Sequence, residues 1–235
     1  MKKIASLAVL MLLVAGAAFA QPGVNLGWND CVGQGGVIDK TQTCTNSGTI
    51  VNNTYTSFVL PATIGALGSS DAISDIQVDS AALPTWWTQG ATRFGGSPGA
   101  STCPGWFDGA PNGPVPFGPN IVQSKTNGLK IRMVVVVAAG EELPADPAVE
   151  YLADIVNLKY GAGTFNNAGC LTPACWVLNQ VTLIDLTNPA NPVNTVLTNP
   201  STSNFVTWRA AGTVPCPAAT PAKKATWGSI KALYR

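Results

Sequence analysis

The sequence contains no histidine among its 235 residues. Histidine is the commonest general base of enzymes and the commonest metal ligand of proteins. Its absence excludes the Ser-His-Asp and Cys-His mechanisms of hydrolases and removes the usual ligands of zinc sites. Enzymes that work with pairs of carboxylates or with lysine remain compatible with this composition.

Charged residues are also few, at 11% of the chain, and the formal net charge is only +1. A balanced chain of this kind has no overall field that would attract nucleic acid or an anionic membrane. We therefore expect no nucleic-acid partner. Hydrophobic residues make up 46% of the chain, a content that favours a folded protein over a disordered one.

The first 20 residues have the three parts of a secretory signal peptide. Lys2 and Lys3 supply positive charge, residues 4–14 are almost entirely apolar, and Ala18-Phe19-Ala20 matches an A-x-A cleavage site. The apolar run is too short for a transmembrane helix, which needs about 20 residues. We predict cleavage after Ala20, a secreted product in the periplasm or outside the cell, and no transmembrane segment after cleavage. Gln21 follows the site where a lipoprotein would have cysteine, so we expect no lipid anchor.

Six cysteines follow the predicted cleavage site, and an even number in an exported protein predicts three disulfide bonds. Six cysteines allow fifteen connectivities, and the sequence does not choose among them rigorously. Proximity along the chain favours Cys31–Cys44 and Cys170–Cys175, which leaves Cys103–Cys216 by elimination. Without histidine, neither a zinc site nor a catalytic thiol is expected. We also expect no cofactor.

Apolar residues alternate with polar ones over several stretches, as they do in strands with one buried face. Long loops rich in glycine and proline are expected at 95–104 and 108–119. Many strands and almost no helix predict an all-β chain, a single antiparallel β-sandwich over residues 21–217. The predicted strands are 55–60, 72–79, 85–88, 129–138, 151–158, 175–186, 193–197 and 204–209.

Acidic residues concentrate between Glu141 and Asp154, where five of them occur without a basic residue. Such a cluster is typical of a solvated loop. Calcium binding is the alternative, because Ca²⁺ prefers oxygen ligands, but the spacing of a calcium loop is missing. We therefore predict no metal site.

Seven tryptophans in a chain with few charges suggest a binding surface. Trp86 and Trp87 are adjacent, and Trp106 lies in a loop rich in glycine and proline. If Trp86 and Trp87 lie on a strand, their side chains point to opposite faces, so one would be exposed. An exposed tryptophan can stack on a sugar ring or on an apolar group of a partner. The alternative is that these tryptophans are structural.

Residues 218–235 form a basic tail that differs from the rest of the chain. Four basic residues and no acidic residue occur between Lys223 and Arg235. Trp227, Ile230 and Leu233 recur every three residues, which is compatible with a short amphipathic helix. Three roles are open: docking on the protein's own domain, a sorting or partner-docking tag, or binding to a membrane surface.

Three stretches resemble a group of uncharacterised secreted bacterial proteins: Gly27–Cys31, Cys170–Asn179 and the ending Trp227–Arg235, which reads W-G-x-I-K-x-L-Y-R. This resemblance implies export but no activity. The order of a strand, an Asp-rich strand and Leu83–Trp87 resembles cohesin-type sandwiches, which are binding and assembly modules. The resemblance implies a jelly-roll or cohesin-like sandwich, and it is an analogy at the level of the fold.

The sequence thus favours a secreted, non-catalytic module for binding, adhesion or cell-surface structure, cross-linked by disulfides. Its partner would be a protein or a glycan at the cell surface. One alternative is a carbohydrate-binding module that uses Trp86, Trp87 or Trp106. The other is a glycosidase that uses two carboxylates, because that chemistry needs no histidine.

Overall fold

The structure is a computed structural model that describes residues 21–41, 44, 49–88, 94–97, 101–161, 168–209 and 216. The predicted signal peptide at 1–20 and the predicted tail contacts of Trp227, Ile230 and Leu233 lie outside the described residues. Within the described residues, no helix is long and apolar enough to cross a membrane.

Two sheets form the structure, and neither closes into a barrel. The smaller sheet consists of four antiparallel strands in the spatial order β1 (Gly23–Trp28), β3 (Thr49–Val59), β9 (Glu150–Gly161) and β5 (Phe94–Ser97). The larger sheet has eight strands. Six follow one path: β2 (Asp39–Lys40), β12 (Phe205–Trp208), β10 (Ala174–Asp185), β4 (Ile64–Val78), β7 (Gly128–Val136) and β6 (Val115–Lys125). Two short strands complete it, β11 (Val193–Leu197) beside β10 and β8 (Leu143–Ala145) beside β4.

The predicted all-β sandwich is confirmed, and its strands pair antiparallel except for the short parallel pair of β2 with β12. Alternation along β7 shows why the sheets pack face to face. The side chains of Leu129, Ile131, Met133 and Val135 are at most 2% exposed and belong to the core, whereas the intervening side chains, such as Arg132, point away from it. Each sheet therefore has an inner face toward the other sheet and an outer face.

Two segments predicted as loops contain strands instead. β6 begins at Val115, inside the predicted loop 108–119, and β5 lies largely within 95–104. Pro116 and Pro119 cannot donate a backbone hydrogen bond, so a strand that contains them is tolerated at the edge of a sheet. β6 occupies that position, because β7 is its only partner strand within the described residues.

The prediction of a strand at 85–88 is wrong, because Thr85–Thr88 forms a short helix, α1. Pro84 precedes the helix, and the backbone N–H of Trp87 donates to the Pro84 carbonyl at 3.0 Å. Proline is favoured at the start of a helix, where its missing N–H has no partner to lose. α1 thus places Trp86 and Trp87 on one turn and not on opposite faces of a strand.

All six cysteines form disulfides, but each predicted pair is wrong. The structure joins Cys31 to Cys103, Cys44 to Cys170, and Cys175 to Cys216. Their partners are 72, 126 and 41 residues apart in sequence, so proximity along the chain was the wrong guide. Strand pairing brings distant segments together, and a disulfide needs only Cα atoms about 4.4–6.8 Å apart in space.

Candidate functional site: the outer face of the larger sheet

The three tryptophans predicted to bind a ligand are buried. Trp86, Trp87 and Trp106 are 0%, 1% and 2% exposed, so none of them offers a stacking platform. The ring of Trp86 stacks on Trp208 with the centroids 5.3 Å apart, and Trp87 meets Trp86 edge-on at 4.4 Å. Trp106 donates from Nε1 to the hydroxyl of Ser70 at 3.2 Å. These contacts make all three tryptophans part of the core.

An aromatic cluster fills one end of the space between the sheets. Each ring lies within 6.4 Å, centroid to centroid, of at least one other ring of the cluster. Because aromatic side chains bury a large area, such a cluster is a major source of stability. Its members are Trp28, Trp86, Trp87, Phe94, Trp176 and Trp208.

The carboxylate of Asp154 is the buried acidic group of the described residues. Asp154 is 1% exposed, and burial is the main cause that raises the pKa of its carboxyl to about 7. A hydrogen bond from Thr56 opposes this shift, and the charge of Asp71 adds to it. Asp71 is itself engaged by Arg132. A buried acid and an ion-paired acid do not resemble two carboxylates that flank a substrate in a cleft.

The outer face of the smaller sheet is partly covered, around Glu150. Glu150 accepts from Asn25 Nδ2 at 2.8 Å, from Ser57 Oγ at 2.6 Å, and from the backbone N–H of Gly33 at 2.9 Å. Gly33 belongs to a 3-10 turn at Val32–Gln34. Gly105 pairs with Leu152 through the backbone beside β9, and the side chain of Leu152 is 1% exposed and belongs to the core. The turn at Val32–Gln34 thus occupies part of the surface that this sheet would otherwise offer to a partner.

The larger sheet places side chains from four strands in rows across its outer face. One row follows the pairing of Phe117 with Val134, Val134 with Asp71, and Asp71 with Thr182. The neighbouring row, two residues along each strand, contains Val115, Val136, Ser69 and Ile184. Side chains paired in this way lie about 4.5–5.5 Å apart at their Cβ atoms, so each row is continuous.

Apolar side chains predominate in these rows, and several are open to solvent. On β6 at one side, Val115 is 47% and Phe117 is 54% exposed, and on β11 at the other side Val196 is 52% exposed. Phe117 is the only exposed aromatic residue among those whose side chains are described. Half-buried apolar side chains lie between these edges. We define the outer face by seven apolar residues: Ile73, Val115, Phe117, Val134, Val136, Ile184 and Val196.

The two acidic residues on this face, Asp71 and Asp75, are already paired. Arg132 donates from Nε and from a terminal nitrogen to Asp71, with the shortest contact at 2.7 Å. This hydrogen bond and the charge of Asp71 raise the pKa of the Arg132 guanidinium. Asp75 accepts from Lys125 at 3.1 Å and from Asn179 at 2.9 Å. The pairs neutralise one another, so the face presents apolar area with little net charge.

The one cluster with metal-ligand geometry in the described residues contains Asp30, Cys31 and Cys103, and the two cysteines form a disulfide. The residues of the acidic segment 141–154 lie partly in strands and partly in loops. Asp154 is buried, whereas Glu150 accepts a hydrogen bond from Ser57.

The outer face was not predicted from the sequence. Val115 and Phe117 alternate as strand residues do, but the prolines between and after them made the segment resemble a loop.

Comparison with protein families, with curated proteins and with solved structures gave no match to this chain. The resemblances to secreted bacterial proteins and to cohesin-type sandwiches therefore stay predictions. Any function must be argued from the geometry of the chain itself.

Proposed function

We propose that this chain is a secreted, non-catalytic module that binds a protein partner through the outer face of the larger sheet. The observation that carries the proposal is the set of apolar side chains on this face, with Val115 and Phe117 exposed on β6 and Val196 exposed on β11. Exposed apolar patches rimmed by polar groups are characteristic of protein-binding surfaces. Export is supported by the signal-like N-terminus and by the three disulfides, which persist in oxidising compartments.

A protein partner fits this surface better than a sugar does. Sugar recognition through stacking uses exposed aromatic faces, and here the predicted tryptophans are in the core, which leaves Phe117 as the one exposed ring among the described side chains. A partner that places apolar side chains on Val134 and Phe117 would bury area worth about 25 cal/mol per Å². Asp71 and Arg132 are paired with each other, so a partner would not have to supply an opposite charge for either of them.

A capture experiment with matched variants tests this proposal. The full mature chain is immobilised and exposed to culture medium and to the envelope fraction of the producing organism. We expect one or a few proteins to bind, and Phe117→Asp to weaken their binding at least 10-fold. Val51→Asp is the control, because Val51 is 47% exposed on the smaller sheet. If Val51→Asp weakens binding as much as Phe117→Asp does, the face has no special role.

A glycan array distinguishes the carbohydrate-binding alternative. We expect no specific glycan signal from the wild-type chain. A glycan signal that Trp86→Ala, Trp87→Ala and Trp106→Ala abolish in folded protein would replace the protein-binding proposal by the sugar-binding one.

A further inference from the structure

The disulfide between Cys175 and Cys216 lies on the outer face of the larger sheet. Cys175 follows Ala174 and precedes Trp176, and both of these neighbours belong to the core. Because side chains alternate along a strand, Cys175 points the other way. Its partner in register on β4 is Gln77, which is exposed. Cys216 is therefore attached to the same face that carries Phe117 and Val134.

This end of the face is already covered. Cys175 is 2% exposed and its neighbour on the same face, Val177, is 8% exposed. Both are absent from the core cluster between the sheets. The two side chains are thus buried on the outer side of the sheet, where the bond to Cys216 enters.

The chain beyond Cys216 is long enough to reach the apolar rows. From Cys175 to Phe117 the path runs six residues along the sheet, about 20 Å, and three strand spacings across it, about 14 Å. The direct distance is thus about 25 Å. Trp227 follows Cys216 by 11 residues, which span up to about 36 Å. The reach is sufficient without full extension.

The composition of the segment fits the face. Residues 217–235 include the apolar side chains Trp227, Ile230 and Leu233, which need cover from water. The outer face offers exposed Val115 and Phe117 beside half-buried Val134.

We propose that residues 217–235 bind in cis to the outer face, with Trp227 against Val115, Phe117 and Val134. This inference uses the same face as the proposed function and gives it a regulation: a protein partner must displace the chain's own C-terminal segment. The Cys175–Cys216 disulfide tethers the segment within reach of its site, so its effective concentration there is of the order of millimolar. Even weak contacts then keep the site occupied.

Acrylamide quenching of tryptophan fluorescence in the full mature chain tests the inference. The six tryptophans of the described residues are at most 3% exposed, so they are poorly quenched. Trp227 is the seventh, and a Trp227→Phe variant isolates its signal. We expect the Trp227 signal to be protected in the wild type. Phe117→Asp or Val115→Asp should raise its quenching constant at least threefold, while Val51→Asp leaves it unchanged.

Three results would overturn the inference. The first is a Trp227 signal that is fully quenchable in the wild type. The second is a protected signal that neither Phe117→Asp nor Val115→Asp changes in variants with wild-type circular dichroism, since the segment then binds elsewhere. The third is protection that disappears on dilution, which would place the segment on a second copy of the chain. The proposed function fails separately, if no protein is captured even by the Cys175→Ala/Cys216→Ala variant, which loses the tether but keeps Val115 and Phe117.

Discussion

At the scale of single residues, Asp154 is an acidic residue whose burial in the folded protein opposes the ionisation of its carboxyl. Its carboxyl is buried between strands, and burial raises its pKa to about 7. The unfolded chain releases this proton at a pH of about 4. The folded state therefore holds a proton that the unfolded state has lost between these two values. The contribution of this group to stability is complete below pH 4 and is lost as the pH rises to about 7.

We expect Asp154→Asn to remove this pH dependence. In the wild type, the free energy of unfolding should fall by up to about 1.4 kcal/mol per pH unit between pH 4 and 7 because of this group. The variant keeps a neutral side chain of the same shape, so its stability should stay flatter and exceed that of the wild type at pH 8. Urea unfolding at pH 4.5, 6 and 8 measures the difference. Exposed Asp146→Asn is the control, and equal pH profiles for the wild type and Asp154→Asn would contradict the prediction.

At the scale of elements, α1 packs into the aromatic cluster at one end of the sandwich. Its four residues include Trp86 and Trp87, both buried, which contact Trp208 on β12 and Phe94 on β5. A helix this short has little stability of its own, so its packing holds it in place. α1 thereby connects strands that belong to different sheets.

Trp87→Ala should therefore destabilise the protein by about 3–5 kcal/mol, because it leaves a large cavity in the core. The substitution should leave partner binding by the outer face unchanged. Thermal unfolding and near-ultraviolet circular dichroism report the stability, and the capture experiment reports binding at a temperature where the variant is folded. Thr88→Ala at the exposed end of the same helix is the comparison. A Trp87→Ala chain that is as stable as Thr88→Ala would show that α1 does not support the core.

The sequence was informative where strands have one buried face and little glycine or proline. The strand predicted at 175–186 lies one residue from β10, and 193–197 matches β11. The first half of β4 contains Gly65 and Gly68, which have no side chains, so the alternation of apolar and polar residues typical of a strand is not apparent there. β6 was missed because its prolines are tolerated only at an edge, a position that pairing partners decide. Prediction of the outer face requires the register of four strands, which no single segment of the sequence determines.

At the scale of the whole molecule, the disulfides join segments that the chain order separates. Cys44–Cys170 connects the segment before β3 to the turn before β10, and Cys31–Cys103 connects the turn after β1 to the loop after β5. Asp30 reinforces the second link, because it accepts from the Thr102 hydroxyl at 2.6 Å. Proximity along the chain could not predict these pairs, since the distances that matter arise only after the sheets form.

Replacing each disulfide-bonded pair of cysteines by alanine should destabilise the protein, and the loss should be larger the longer the loop that the disulfide closes. In the chain-entropy description, loops of 126, 72 and 41 residues correspond to about 5, 4.5 and 4 kcal/mol. Denaturant unfolding of the three double variants measures this order, with alanine used because a buried serine hydroxyl would lack a partner. The Cys175→Ala/Cys216→Ala variant should lose the least stability and yet be the only one whose Trp227 becomes quenchable by acrylamide, because it alone loses the tether to the outer face. Equal quenching in all three variants would mean that unfolding, and not release of the C-terminal segment, exposes Trp227.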